Sequence, residues 1–235
     1  MTEIPVVPIE RLDLAFKPRP WPFAIERRDE IAAHFAEVKS KKPAIFNGRI
    51  LMLHEHAVAD GVFRGSFFET DYASFLAWHR WEGTDPTVRD CFSQAALRSA
   101  DGAFLLGVMG SHTAHAGKIY FPSGTPDPSD LAGATVDLDA NLWRELKEET
   151  GLTASDVEPD PGWVSTFEPA MIAHLKIMRA REDAVALRER ILRFLARDPE
   201  PELSDIRIVR GPADLDPMMQ SFIPSFLKWV WAARL

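Results

Sequence analysis

Within nine residues the chain sets an arginine and three glutamates ahead of a glycine, in the run RELKEETGL from Arg144 to Leu152. Each residue of an α-helix advances by about 100°, so Glu145, Glu148 and Glu149, at i, i+3 and i+4, aim their carboxylates into an arc of roughly 100°. Like charges at that spacing repel, costing a few tenths of a kcal/mol per pair, and a helix C-terminus disfavours negative charge. A divalent cation reverses the sign of both effects, because hard oxygen ligands on one face are what Mg²⁺ or Mn²⁺ requires. The competing reading is a solvated helix face on which Arg144 and Lys147 neutralise the glutamates.

Positioning such a face needs a helix with defined ends and an apolar side. Asp137 or Asp139 can cap its start, and Gly151 can take the left-handed conformation that stops it. Leu142 and Leu146 lie beside the acidic arc, with Trp143 farther round, as the packing stripe. Ahead of the helix the sequence predicts a strand at GKIYFPSG, ended by Pro122 and Gly124, and a Pro-, Asp- and Gly-rich loop from Thr125 to about Val136. Farther upstream, two Ala-Asp-Gly tripeptides, at 59–61 and 100–102, predict hairpin turns between apolar runs.

Prolines at 5, 8, 18, 20 and 22 predict an extended start, followed by one amphipathic helix over 24–41 with Ile25, Ile31, Phe35 and Val38 near a stripe. A short helix over DYASFLAWHRW is expected to be capped by Asp71 or Thr70. Beyond Gly151 the pattern predicts strands at WVSTFE, MIAHLKIMRA and IRIVRG, a helix at EDAVALRERILRFLARD, and a terminal helical segment broken by Pro224. Antiparallel hairpins with late helices predict an α+β sandwich. GTDPT, at 83–87, marks a boundary between residues 1–85, an N-terminal extension or small domain, and 86–235.

Composition narrows the classes of function. The 235 residues are 46% hydrophobic and 26% charged, with a net charge of −8, which opposes broad charge-driven binding to nucleic acid. The single cysteine, Cys91, excludes an intrachain disulfide and reads as a buried thiol. No apolar run approaches the roughly 20 residues that span a bilayer, and the N-terminus lacks a secretory pattern. The expectation is a cytoplasmic protein without membrane or nucleic-acid partners. His54 and His56 alternate in a predicted strand and would share one face, where surface or hydrogen-bonded histidines are the favoured reading over an incomplete metal site, while His79 is expected to pack. Trp229 and Trp231 are expected to serve the core or a subunit contact.

The segment from Gly124 to Leu152 resembles the Nudix box, G-x5-E-x7-R-E-U-x-E-E-x-G-U, where U is aliphatic. Arg144, Glu145, Leu146, Glu148, Glu149, Gly151 and Leu152 match its second half, and Gly124 its leading glycine. In the first half Asp130 stands in the place of the first glutamate, and thirteen residues instead of seven separate it from Arg144. The stretch from His115 also loosely resembles the H-x-G-x-V-x-F-P-G-G of coenzyme A-cleaving members, although the arginine and leucine expected upstream are absent.

The resemblance implies a Nudix-like α/β/α sandwich with a mixed sheet, plus an N-terminal α+β extension that shapes the pocket or builds a homodimer. It implies a Mg²⁺- or Mn²⁺-dependent diphosphatase acting on a small nucleoside diphosphate conjugate, such as a nucleotide sugar, ADP-ribose or coenzyme A. Glu145, Glu148 and Glu149 would be its metal-ligating or base-forming carboxylates, Arg144 would orient a glutamate, and Gly124 would let backbone approach the metal. A further acid from outside the box is expected, with Glu168, Glu200 and Glu202 as candidates; the substrate-binding residues stay open. Two alternatives remain at this stage: an inactive nucleotide-binding or sensor protein, and a structural protein with an acidic helix.

Overall fold

Both Asp-Gly turns form, and each opens a different sheet. The computed structural model describes residues 4–43, 45–81, 85–113 and 115–234. Asp60 and Gly61 adopt φ of 51° and 71°, the left-handed pair that a two-residue hairpin demands. They join β3 (Arg49–Ala59) to β4 (Val62–Asp71), which pairs in parallel with β2 (Arg11–Phe16). A small hairpin, β8 (Leu131–Ala132) and β9 (Thr135–Val136), completes this smaller sheet, in the order β3-β4-β2-β9-β8.

The larger sheet runs β1 (Val6–Ile9), β11 (Trp163–Phe167), β12 (Met171–Ala180), β5 (Asp90–Arg98), β6 (Phe104–Met109), β13 (Leu203–Val209). Short strands β7 (Ile119–Tyr120) and β10 (Val157–Pro159) pair with β6 and β12. Its β12–β5 ladder is parallel and the others antiparallel. Successive residues of a strand face opposite sides. On β5, Phe92 stacks edge-on with Phe222 of α6 (Phe222–Ala233), while Ser93 Oγ donates to the Leu138 carbonyl of α4 (Leu138–Thr150). The two helices therefore cover opposite faces, and the α+β class with a mixed sheet expected from the sequence holds.

The smaller sheet is apolar on both sides. Leu51, Leu53, Phe63 and Phe67 join the core of the larger sheet. Ile50, Met52 and Phe68 bury against Trp21, Phe75 and Trp78 under the helices α1 (Pro22–Glu26), α2 (Arg28–Lys41) and α3 (Tyr72–Arg80). The remaining helix, α5 (Ala184–Leu195), is capped by Asp183, whose side chain accepts from Val185 N and Ala186 N. No helix among the described residues is long and apolar enough to cross a membrane. The region around residue 85 is crossed in both directions: β1 lies at the edge of the larger sheet, and β8–β9 extend the smaller one. Residues 83 and 84 of that predicted break lie outside the described residues.

Several expectations need correction. The first helix is two helices, parted at Arg27, so Ile25 is exposed and Ile31 alone is fully buried on the expected stripe. Pro224 does not break α6; it sits in the first turn, where the missing N–H is unneeded. Strand β3 carries a bulge between Leu53 and Glu55, which cancels the alternation. His54 consequently meets Phe68 and His56 stacks on Phe63, on opposite faces, so they share no metal site. His79 is exposed at the end of α3. Trp229 and Trp231 both pack, partly buried, against the larger core.

Cys91 is fully buried, 3.5 Å from Nε2 of His174, whose Nδ1 shares a 2.7 Å hydrogen bond with Ser165 Oγ. Burial pushes the thiol well up and the imidazole down to about 3. The unfolded imidazole, near 6.5, binds a proton that the folded one refuses, so His174 supports the fold above that pH and the support is lost as pH falls towards 3. Urea unfolding should show stability falling by about 1 kcal/mol per unit between roughly pH 6 and pH 4, with a shallower slope in His174→Gln. Gly151→Ala combines a φ of +72° with a Cβ that would lie 2.5 Å from the Phe194 ring. It should lower the unfolding free energy by about 2 kcal/mol or more in the same assay.

Candidate active site on helix α4

Three leucines at helical spacing anchor α4: Leu138, Leu142 and Leu146 are essentially inaccessible to water. Asp137 caps its start by accepting from Ala140 N at 2.9 Å. At the other end Gly151 N donates to the Lys147 carbonyl at 2.9 Å. With both ends fixed, the acidic arc is turned so that its members differ. Glu149 is 5% exposed and the Glu145 side chain 12%, whereas the Glu148 side chain is 61% exposed. Two carboxylates therefore face inward and one stands at the rim. Among the described residues no group of three acidic, histidine or cysteine side chains is assembled to hold a metal ion.

Arg144 ties the two halves of the box together. Its Nη1 donates to Glu145 Oε1 at 2.6 Å and lies 3.6 Å from Glu148 Oε2. Its Nη2 spans both oxygens of Asp130, at 3.1 and 3.2 Å. Asp130 is buried, and it also accepts from Asn141 Nδ2 at 3.0 Å and from Asp127 N at 2.9 Å. A carboxylate taken out of water requires such partners. Asp130 thus orients the guanidinium that orients Glu145.

The excess residues of the box leave this arrangement intact. Asp137 N donates to the Asp130 carbonyl at 2.8 Å, so residues 131–136 make a closed excursion from one side of that bond to the other. They form the β8–β9 hairpin and dock on the N-terminal sheet through the Ala15–Thr135 pair and a 2.8 Å bond from Phe16 N to the Ala134 carbonyl. Without them, seven residues, 137–143, would separate Asp130 from Arg144, the spacing of the box.

Across from the helix lies the turn that follows β7. Ser123 N donates to Glu149 Oε1 at 3.4 Å, and Glu149 Oε2 is buried without a partner. Gly124 faces Glu145 so closely that any Cβ there would overlap its carboxylate. Withdrawal from water raises Glu145 to about 7, Arg144 opposing the shift, and Glu148, Glu202 and Asp130 adding to it. Burial pushes Glu149 well above the ordinary range, reinforced by Glu145 and Glu202. Of the three outside acids, Glu202 alone acts on both helix glutamates. Glu168 accepts from Ser221 Oγ at 2.7 Å at the start of α6, and Glu200 is exposed with its N–H bonded to Asp198.

Sequence reasoning missed several contributors. Gln94 donates from Nε2 to Ser123 Oγ at 3.2 Å, and its buried Oε1 has no partner. Asn141 bridges Asp130 and Ser93. Tyr120 is held protonated chiefly by burial and then by the fields of Glu149 and Glu202. The available signal was the Ser93-Gln94 pair inside an otherwise apolar strand, since polar side chains in such runs are buried with a purpose.

A divalent cation suits this donor set. It would give Glu149 Oε2 a partner and relieve the mutual repulsion of Glu145 and Glu149; the bare Gly124 leaves room for the Glu145 carboxylate itself. Glu145 and Glu149 would hold it, with Glu148 at the rim.

No family model matches the chain, and no curated protein does. Among solved structures it is similar to RenU, a Nudix hydrolase from M. smegmatis, at 17% identity over 61% of this chain and 84% of that one, with a TM-score of 0.39. It is similar also to the MutT protein from Methanosarcina mazei, at 17% identity over 62% and 96% of the two chains, with a TM-score of 0.42. Likeness at that level assigns nothing, and the functional reading rests on the residues of the site.

Asp130→Asn removes the charge that faces Arg144 inside the protein. Because Arg144 is one-third exposed, the loss is discounted to about 1–3 kcal/mol of unfolding free energy, measurable in urea. The Glu145 pKa should move down, because Asp130 is one of the charges that raise it, read by carboxylate NMR titration.

Proposed function

We infer that the protein is a Nudix-type pyrophosphohydrolase that cleaves the diphosphate of a nucleoside diphosphate conjugate with Mg²⁺ or Mn²⁺. The observation that carries this reading is the pairing of Glu149, buried with an unpartnered oxygen, with Glu145, held by Arg144, both facing the Ser123-Gly124 turn. Two acids withdrawn from water, one of them packed against a bare glycine, are costly for folding and useful for binding a cation.

A bound divalent ion would supply neutralisation of the diphosphate charge and an acidified water. The chain's own part is positional and protonic. Arg144 fixes the Glu145 carboxylate, and Asp130 with Asn141 fixes Arg144. Glu145, raised to about 7 by withdrawal from water, gives up its proton near neutral pH and is then a carboxylate ready to hold the ion. Glu202 adds negative charge from outside the helix and is the candidate for the further acid. The nucleotide sugar, ADP-ribose and coenzyme A classes are all compatible with this centre.

The rim position of Glu148 favours a second reading, in which the site binds a nucleotide without turning it over. Hydrolysis of a panel of diphosphate conjugates, with Mg²⁺ or Mn²⁺ and with EDTA, decides between the two. The diphosphatase reading expects cleavage that needs the ion and falls at least ~100-fold in Glu149→Gln. Binding of nucleotides with no cleavage in any ion would establish the second reading, and equal rates for wild type and Glu149→Gln would remove Glu149 from the mechanism.

A further inference from the structure

In a chain with a net charge of −8, basic side chains converge at one place away from the glutamates. A cleft of about 1380 Å³ is lined by His79 at the end of α3, His115 and Lys118 ahead of β7, and Lys228 on α6, with Trp229 and Gln220 between them. Beyond withdrawal from water, the charges that act on His115 are those of His79, Lys42 and Lys118, all of one sign. Lys118 and Lys228 pair with no carboxylate among the described residues. Asp216, also on the wall, is taken up by Arg207 at 2.8 Å.

The cations sit on a shaped surface. Lys42 Nζ donates to the Thr113 carbonyl at 2.6 Å, and Lys118 N to the His115 carbonyl at 2.9 Å. Ile119 N donates to the Met218 carbonyl, and Gln220 N to the carbonyl of Ile119, fastening the loop to the approach of α6. Gln220, on the wall of the cleft, keeps its Oε1 buried without a partner. His115 stands edge-on to Tyr120 at 6.3 Å, and Tyr120 feels the charges of Glu149, Glu202 and Glu145.

We propose that this cleft binds a second phosphate of the substrate, a phosphate monoester remote from the diphosphate, through His79, His115, Lys118 and Lys228. What that phosphate is attached to follows from the diphosphatase reading above; the anion site itself needs only the cleft. Concentrated positive charge on an acidic surface attracts a dianion selectively, and Trp229 offers a flat apolar wall beside it.

Two ligand pairs differ by one monoester: NADPH and NADH at the ribose 2′ position, coenzyme A and dephospho-coenzyme A at the 3′ position. Titration calorimetry in EDTA, where no turnover occurs, should show the phosphorylated member of at least one pair binding ten-fold tighter or more to wild type. The preference should vanish in Lys118→Ala/Lys228→Ala, whose two sites are exposed, and should shrink with salt. Equal affinity within both pairs, or a preference that survives in the double variant, overturns the proposal. Parallel hydrolysis assays with Mg²⁺ separate the two readings. Preference without cleavage of any conjugate leaves the anion site standing and removes the diphosphatase, whereas cleavage without preference does the reverse.

Discussion

The site depends on one guanidinium. Arg144 reaches back to a buried aspartate from the loop and forward to a glutamate on its own helix, so a single side chain holds two segments in register. Neither carboxylate could stay buried alone, because an isolated ion in a low-dielectric interior loses several kcal/mol of hydration. The shared arginine makes both tolerable and fixes where the Glu145 oxygens point. Glu149, by contrast, has a weak 3.4 Å bond to Ser123 N and a second oxygen with none. The stable half of the site is thus the half that orients, and the unsatisfied half is the one proposed to bind.

The same division explains how a lengthened box keeps its geometry. The box spacing is a statement about where the aspartate, the arginine and the glutamates lie in space, and the chain may leave and return between them if both ends of the detour meet. The Asp130–Asp137 backbone bond supplies that meeting, and the hairpin between is used to extend the N-terminal sheet. The helix that carries the acids and the extension are therefore joined through the loop, in addition to the core they share around Leu53, Phe63 and Phe67.

Elements governed by local chemistry were legible in the sequence. Asp60-Gly61, the Asp71 and Asp137 caps and the Gly151 stop are each dictated by one or two residues, and each appears as the sequence implies. What depended on partners was not. Strands β1 and β2 read only as proline-rich extended chain, since their pairing is with residues far away. The bulge that parts His54 from His56 leaves no mark on an alternating pattern. Within the site, spacing placed three glutamates on one arc, but it took the packing of Leu142 and Leu146 to turn that arc so that Glu148 stays at the rim. That Asp130 holds Arg144 was likewise hidden, because the excursion disguised how near the two come.

Strand β1 has a consequence for how the chain is made. It is made before every other strand described, yet its partner β11 begins at Trp163. At ~5–20 residues per second, synthesis of the intervening stretch takes about 10–30 s, during which β1 has no place to go. An unpaired apolar strand is an invitation to aggregate. Pro5 precedes it and Pro8 lies within it, opposite Val164, at the outer edge of the finished sheet. Proline cannot donate to a ladder, so the residues that leave β1 at an edge in the mature protein also discourage it from recruiting the wrong neighbour while translation catches up.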